Sequence, residues 1–478
     1  MSKTVIVGGG IAGLATAYYL RQCGVSDFTL IECSPHWGGK ISSAVQDGFL
    51  VEGGPDSFIT QKAAAMQLCT RLGLGEQFVG SSTGKQATTY VWNRNRLHPI
   101  PEGMMLMAPT MVLPFLRSRL ISWPGKLRMG MEPLIPRRPG DQDESLAGFV
   151  RRRLGSEALS KIAGPLMGGI HAADPEKLSL RSTFPMFPEL EKKYGSLLRG
   201  MMKRPKHRAV PGSKPTPMFM SLRGGLQQLA DALIAELPPS SLRSGCCVLT
   251  VQPDGPRYKV ILGDGGSIVA DDIVFATPSY VTADLVQQID PLLASRLREI
   301  RYVSTATVSL GFKRSEIDHP LQGAGFIVPR SEGRKITACS WSSEKFKNRA
   351  PEDSVLLRVF IGGDLSEDLA EQDGAALIAL ARQELQAIMG ITATPVLAKA
   401  YRWHKANPQY DLGHAARIAE IENALADLPG LHLAGAAYRG SGIPDCIQSG
   451  MNAAQSIAAR VHANHPYHDQ HLPTCIGS

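Results

Sequence analysis

A mixed α/β and α+β architecture, with a Rossmann-like unit assembled from discontinuous stretches of chain, follows from three observations. A glycine-rich turn joins a short apolar strand to a helix near the N-terminus. Strand and turn motifs of the same nucleotide-binding kind return in the middle and at the end. The stretches between them differ: one is basic with apolar residues at helical spacing, the other carries Val/Thr/aromatic runs of strand type.

The first element is the strand Thr4 to Val7, followed by Gly8-Gly9-Gly10-Ile11-Ala12-Gly13 and a helical run from Leu14 to Cys23. A second strand, Phe28 to Ile31, ends at Glu32. Strand, G-x-G-x-x-G, helix, strand and acid form the dinucleotide fingerprint in its required context. The glycines permit a tight turn and close approach of a pyrophosphate to the backbone. The helix N-terminus presents N–H donors and a positive dipole end. Glu32 can accept hydrogen bonds from a ribose diol.

Two glycine clusters follow, Trp37-Gly38-Gly39-Lys40 and Gly53-Gly54-Pro55-Asp56-Ser57-Phe58. They read either as simple turns or as a wrap around the same cofactor. A helix is expected from Gln61 to Leu74. Between Arg94 and Arg208 the chain is rich in Pro, Met and Arg, and reads as a mostly helical insertion. It includes amphipathic helices at Leu146 to Arg153 and Lys192 to Met202, and a loop from Arg204 to Pro217. Ser221 to Leu226 opens another helix, to about Leu237. Strands then follow at Cys247 to Val251, Lys259 to Leu262, Ser267 to Ala270 and Ile273 to Ala276, with a hairpin turn at Asp264-Gly265-Gly266. Four further runs, Ser304 to Phe312, Lys335 to Trp341, Val355 to Ile361 and Val396 to Trp403, predict a largely antiparallel sheet. A helix, Gly374 to Met389, lies between the last two. A strand at Leu431 to Gly435 and a helix from about Ser449 to Val461 close the chain.

Composition bounds the rest. With 478 residues, two or three domains are expected. The eight cysteines include no C-x-x-C pair, which predicts reduced thiols in a cytosolic protein. With a strand opening directly at Thr4, no leader segment is expected. No apolar run reaches the roughly 18 residues of a membrane span; Met104 to Leu116 is broken by Pro109 and Pro114. The net charge is +8, yet residues 94–208 alone carry +11. That basic stretch suggests an anionic partner, lipid headgroups or a carboxylate-rich substrate, or else a plain solvated surface. No nucleic-acid motif accompanies it, so nucleic acid is not expected.

Several segments carry a family likeness: Gly54-Pro55-Asp56-Ser57-Phe58 with Lys62 close behind, G-I-H-A-A-D-P-E-K-L-S-L-R-S-T-F-P from Gly169 and Y-G-S-L-L-R-G from Tyr194. T-A-C-S-W-S-S-E-K-F from Thr337, N-P-Q-Y-D-L-G-H from Asn407 and G-I-P-D-C-I-Q-S-G from Gly442 add to them. Together they resemble the protoporphyrinogen/coproporphyrinogen III oxidases of haem biosynthesis, within the monoamine-oxidase-like flavoproteins. The likeness extends to about Arg460.

The resemblance implies an FAD-binding Rossmann-like domain in three parts (1–90, 211–280 and 426–462). A helical, basic domain (91–210), which faces the bilayer in membrane-associated relatives, a substrate-binding β-sheet domain (281–425) and a flexible tail (463–478) complete the division. FAD is the implied cofactor. Gly8, Gly9, Gly10, Ile11, Ala12 and Gly13 would take its diphosphate, and Glu32 with Cys33 its ribose. Lys40 stands where the family usually has an arginine, which weakens a phosphate contact. Gly54, Pro55, Asp56 and Ser57 would run along the flavin, Val248 would contact adenine, and Trp403, Ile443, Pro444 and Asp445 would approach the isoalloxazine.

The implied reaction is the FAD- and dioxygen-dependent six-electron oxidation of coproporphyrinogen III to coproporphyrin III. Protoporphyrinogen IX is the alternative substrate, and an amine-oxidase-like or carotenoid-desaturase-like flavoenzyme the lesser alternative. Lys62, Asp56, His171 and Arg94 (with Arg96) are candidate substrate contacts. Each also has an ordinary reading: an exposed helix lysine, a turn aspartate, a loop histidine, surface arginines. No catalytic base is legible. Cys446 reads as a small core thiol rather than a flavin attachment point. His462, His465, His468 and His471 read as a polar tail rather than a metal site. A cytoplasmic location is expected, with peripheral membrane contact, handover to other haem-pathway enzymes and a homodimer as further candidate associations.

Overall fold

The computed structural model describes residues 3–105, 107–109, 111–203 and 217–463. The loop expected from Arg204 is almost wholly outside them, as are His465, His468 and His471 of the tail.

A five-stranded parallel sheet is built from segments far apart in sequence. Its order is Leu242–Ser244, Phe28–Glu32, Thr4–Val7, Asp272–Phe275, Leu431–Leu433. All four residues of Thr4–Val7 are buried, because helices or sheets cover both faces of such a strand. Ile6 feeds one core, with the helix Ile11–Gln22, while Val5 and Val7 feed another on the opposite face. The first helix starts three residues before the expected Leu14, inside the glycine run. The closing helix Ile443–Ala463 starts six residues before the expected Ser449 and packs along the first. A Cβ at Gly450 would lie 2.4 Å from the Ala12 carbonyl oxygen, so only glycine lets these two helices meet.

The second large sheet has seven strands. Their order is Leu397–Pro408, Tyr302–Lys313, Ser354–Gly362, Ala338–Trp341, Gly325–Ile327, Thr89–Asn93, Arg96–Pro99. It is antiparallel except between Gly325–Ile327 and Thr89–Asn93. The helix Gly374–Met389 covers it, with the expected boundaries. The hairpin at residues 89–99 departs from the sequence expectation, which places the stretch from Arg94 in the helical insertion. Its turn places Arg94 (φ 51°) and Asn95 (φ 58°) in the left-handed region, which a two-residue hairpin requires. Ser221 and Leu222 likewise end a strand, Phe219–Leu222, and the helix expected there begins only at Gln227.

From residue 112 to 203 the described chain is helical, around Phe149, Phe187 and Met167. Arg153, fully buried, pairs there with Glu132, which also accepts from Leu197 N–H at 2.9 Å. Among the described residues no helix is long and apolar enough to cross a membrane, and no cluster of side chains could hold a metal.

Candidate functional site

The glycine run lies at the C-terminal edge of the parallel sheet. A Cβ at Gly13 would fall 1.9 Å from the Gly8 carbonyl oxygen, which fixes glycine there by contact alone. At Gly10 the same atom would meet nothing nearer than 4.0 Å, so the backbone is open on that side. Gly10 makes no side-chain cap on the helix, leaving its first turn available to an anion. Glu32 stands beside the run. One of its oxygens accepts from Gly9 N–H at 2.6 Å and the other from Ser34 N–H at 2.8 Å. A carboxylate has about four acceptor positions, so two remain for a diol. This open backbone, free helix end and half-engaged acid fit the adenosine diphosphate of FAD.

Cys33 and Cys247 are joined by a disulfide across 214 residues. The expectation of uniformly reduced thiols is corrected here: the backbone bonds Cys246 N–H to Glu32 O and Gly245 N–H to Ser34 O lay the two chain segments side by side, which brings the sulfurs together. Val248 follows directly, opening the strand Val248–Asp254, so Glu32, Cys33 and Val248 share one corner. Cys69, Cys246, Cys339 and Cys446 are free thiols.

The second glycine cluster forms a wall held by charge. The Gly53 carbonyl accepts from Trp403 Nε1 at 2.9 Å, Thr307 Oγ1 at 3.1 Å and Arg358 Nη2 at 3.2 Å. Arg358 also donates to the Gly54 carbonyl. A Cβ at Gly54 would overlap the Lys40 carbonyl oxygen at 1.7 Å. The Asp56 carboxylate receives Lys345 Nζ at 2.9 and 3.2 Å and Ser57 Oγ at 2.6 Å. Burial would raise this carboxyl, but Lys345, Arg358 and the Ser57 hydroxyl outweigh it and hold it well below the usual carboxylate range. The Asp56 carbonyl accepts from Ser221, whose hydroxyl accepts from Arg349. Glu52, 4.0 Å from Arg349, is pushed upward by its burial.

Lys62 and Asp445 converge from distant segments. Lys62 precedes the helix Ala63–Arg71, and Asp445 lies in the first turn of the closing helix, beyond the buried Ile443 and Pro444. Their ion pair measures 2.6 and 2.8 Å. His171 ends the helix Gly164–His171, its ring edge-on to Phe184 at 5.6 Å. Burial, helped by the Lys62 charge, lowers its pKa to about 4, so it is neutral at pH 7. Cys446 is buried and its thiol is pushed up to about 12 by that burial, which suits a core thiol.

Two residues do not stand where the sequence suggested. The Lys40 ammonium donates to the Ala406 carbonyl, and burial lowers its pKa. Arg94 projects from its hairpin turn toward a separate cavity of about 470 Å³ that none of Lys62, Asp56 or His171 lines. Lys345, Arg349 and Arg358 were missed. Arg358 had a signal: it is the lone charge in the apolar strand V-L-L-R-V-F-I, and a buried arginine needs acceptors.

The model of the flavin containing amine oxidoreductase family matches residues 11–458. Coproporphyrinogen III oxidase of Bacillus subtilis is 36% identical over 94% of this chain and 96% of its own length. The Staphylococcus aureus enzyme of that name is 34% identical over 96% of this chain and its whole length. Mitochondrial protoporphyrinogen oxidase of Nicotiana tabacum is 27% identical over 95% and 94%. A crystal structure from Exiguobacterium sp. 255-15 superposes with a TM-score of 0.86 at 33% identity, covering 96% of this chain and 99% of that one. Putrescine oxidase shares the fold alone, at a TM-score of 0.65 and 15% identity. The chain thus belongs to the flavin-containing amine oxidoreductases, among their FAD-dependent porphyrinogen oxidases.

Proposed function

We propose that this protein oxidises coproporphyrinogen III to coproporphyrin III, removing six electrons and six protons in three two-electron steps. The observation that carries the reading is the 36% identity with the Bacillus subtilis coproporphyrinogen III oxidase across 94% of the chain. FAD, when bound, supplies the two-electron acceptor, with dioxygen taking the electrons onward and leaving as hydrogen peroxide.

The chain's own residues supply position and charge. The run Gly8 to Gly13 cradles the diphosphate, Glu32 receives the ribose hydroxyls, and Val248 lies at the adenine. Gly54 to Ser57 line the flavin, with Trp403, Ile443, Pro444 and Asp445 closing around it. Lys345 and Arg358 fix that wall through Asp56 and the two glycine carbonyls. Lys62, tied to Asp445, offers its half-exposed ammonium to a substrate propionate. His171, being neutral, presents a polar but uncharged edge to the pocket. The chain divides into an FAD unit drawn from residues up to about 88, from 211–280 and from 426–462, a helical unit, and a β-sheet unit that takes in the hairpin at residues 89–99.

Coproporphyrinogen III and protoporphyrinogen IX, supplied side by side under air and followed by porphyrin fluorescence, test the substrate. Faster turnover of the tetracarboxylate is expected. Turnover of protoporphyrinogen IX alone would transfer the assignment to that substrate.

A further inference from the structure

The motif N-P-Q-Y-D-L-G-H from Asn407 lies where three stretches of chain meet. It connects the strand Leu397–Pro408 to the helix His414–Ala426. Asp411 receives a forked pair of bonds from Arg301, at 2.9 and 3.0 Å. The Tyr410 carbonyl accepts from Ser179 N–H at 2.8 Å, and its ring is buried in the core around Phe149 and Met167. The phenol end reaches a third stretch. The Tyr410 hydroxyl donates to the Ala436 carbonyl at 2.7 Å and accepts from Gly440 N–H at 2.7 Å. Burial holds this hydroxyl above the usual phenol range, so it keeps the proton that Ala436 receives.

His414 supports the same stretch. Its ring stacks on Tyr410, with centroids 4.0 Å apart and an interplanar angle of 11°. Its Nε2 lies 3.0 Å from the Tyr438 carbonyl. A carbonyl only accepts, so Nε2 carries the proton. Burial lowers the His414 pKa, which keeps the ring neutral. Residues 436–440 are thus held at Ala436, Tyr438 and Gly440 by two side chains of one motif. What this stretch touches gives the arrangement its consequence. A Cβ at Gly440 would lie 2.4 Å from Asp445 Cγ, and one at Gly442 would lie 3.2 Å from Asp445 Oδ2. Residues 440–442 therefore wall the Asp445 carboxylate, whose oxygens hold Lys62 Nζ at 2.6 and 2.8 Å. Lys62 is half-exposed, and Asp445 is its ion-pair partner among the described residues. Loosening residues 436–440 would free the Asp445 carboxylate to turn, and the ammonium with it.

We infer that Tyr410, supported by His414, is a positioning residue for the Lys62–Asp445 pair. Its hydroxyl fixes the wall that aims the Lys62 ammonium at a substrate carboxylate. The inference rests on the porphyrinogen reading above. Tyr410→Phe keeps the buried ring and its stacking partner and removes only the hydroxyl. The test is a cycle of Tyr410→Phe, Lys62→Ala and the double variant, each full-length and FAD-loaded. In the parent background Tyr410→Phe should lower kcat/KM for the porphyrinogen the parent oxidises roughly ten-fold, the scale of losing two hydrogen bonds. The loss should lie in KM rather than kcat, because Lys62 binds and does not react. With Lys62 already alanine, the same change should cost less than about two-fold. Equilibrium binding of the corresponding porphyrin, followed by its fluorescence, should repeat this pattern without turnover. The melting temperature should fall equally in both backgrounds, since the hydroxyl's two bonds are lost in each. His414→Phe keeps a stacked ring, loses the Tyr438 bond and should follow Tyr410→Phe at smaller amplitude. Losses that multiply independently of Lys62, in kcat/KM and in binding alike, would leave Tyr410 a stability residue only and overturn the inference. A parent that oxidises neither coproporphyrinogen III nor protoporphyrinogen IX would overturn the porphyrinogen reading, and this inference with it.

Discussion

Replacing Asp56 by asparagine tests whether charge holds the wall beside the flavin. Asp56 is the partner of Lys345 at 2.9 Å and sits within the field of Arg358. In the variant, Lys345 loses its counter-charge and keeps the neutral amide oxygen and the faces of Phe219 and Phe346, at 5.2 and 5.0 Å. Removing one member of a buried pair strands the other and typically costs about 3–5 kcal/mol. If the chain of 478 residues melts as one unit, with about 2 cal/mol/K per residue, its unfolding entropy is near 1 kcal/mol/K. The melting temperature should then fall by roughly 3–5 °C. Lys345→Gln should cost a similar amount, and the double variant should recover about 2–3 kcal/mol of the summed loss. The sign of the pH dependence is fixed. Asp56 is depressed, so its contribution is present above the unfolded carboxyl value, near 4, and fades as pH falls through the lower folded value. The variant's deficit should therefore be constant from pH 5 to 8. Thermal melts of FAD-loaded and FAD-free protein, followed by far-UV circular dichroism, measure it. A shift under 1 °C, or strict additivity in the double variant, would refute the coupling.

Glu32→Ala removes charge-assisted bonds worth about 1.5–3 kcal/mol each, so FAD affinity should drop roughly ten- to hundredfold, read from flavin absorbance after dialysis. Lys62→Ala should raise KM for the tetracarboxylate porphyrinogen more than for the dicarboxylate; equal rises would reject a propionate contact. His171 has a lowered pKa, so its stabilising neutral form is fully present above the unfolded value of about 6.5 and its contribution is lost as pH falls toward 4. His171→Phe should flatten that part of the stability profile. Cys33→Ser opens a 214-residue loop, which should cost about 2–5 kcal/mol, and a non-reducing digest of the parent should yield the peptide joining Cys33 to Cys247.

The parts of the fold governed by local rules were legible. Strand, glycine turn and acid at residues 4–32 fold as read, and the helix Gly374–Met389 has an aspartate cap and a terminal glycine to mark both ends. Long-range pairing was not. The hairpin at 89–99 joins the seven-stranded sheet only through Gly325–Ile327, more than 220 residues later, and nothing local specifies that partner. The same limit hid Lys345 and Arg349, whose acceptors Asp56 and Ser221 lie far upstream. It hid the disulfide too, since Cys33 and Cys247 meet only once Leu242–Ser244 pairs with Phe28–Glu32.

Fold alone does not choose a substrate here, because putrescine oxidase shares the architecture at 15% identity. Charge beside the wall discriminates further. Lys62, Lys345 and Arg358 stand against Asp56 and Asp445, and both carboxylates are spent on Lys345 and Lys62. A protonated amine would enter a region with no carboxylate of these left unpaired and would be repelled. A carboxylate-bearing substrate gains from the same field, most at the half-exposed Lys62. The consequence can be measured by exchanging that charge. Lys62→Glu would place two carboxylates side by side, one of them Asp445, and should depress kcat/KM for a porphyrinogen well beyond Lys62→Ala. Higher ionic strength should narrow the gap between the two variants, since screening acts on the exposed charge and not on lost packing. A gap unmoved by salt would place the role of Lys62 in packing against the closing helix.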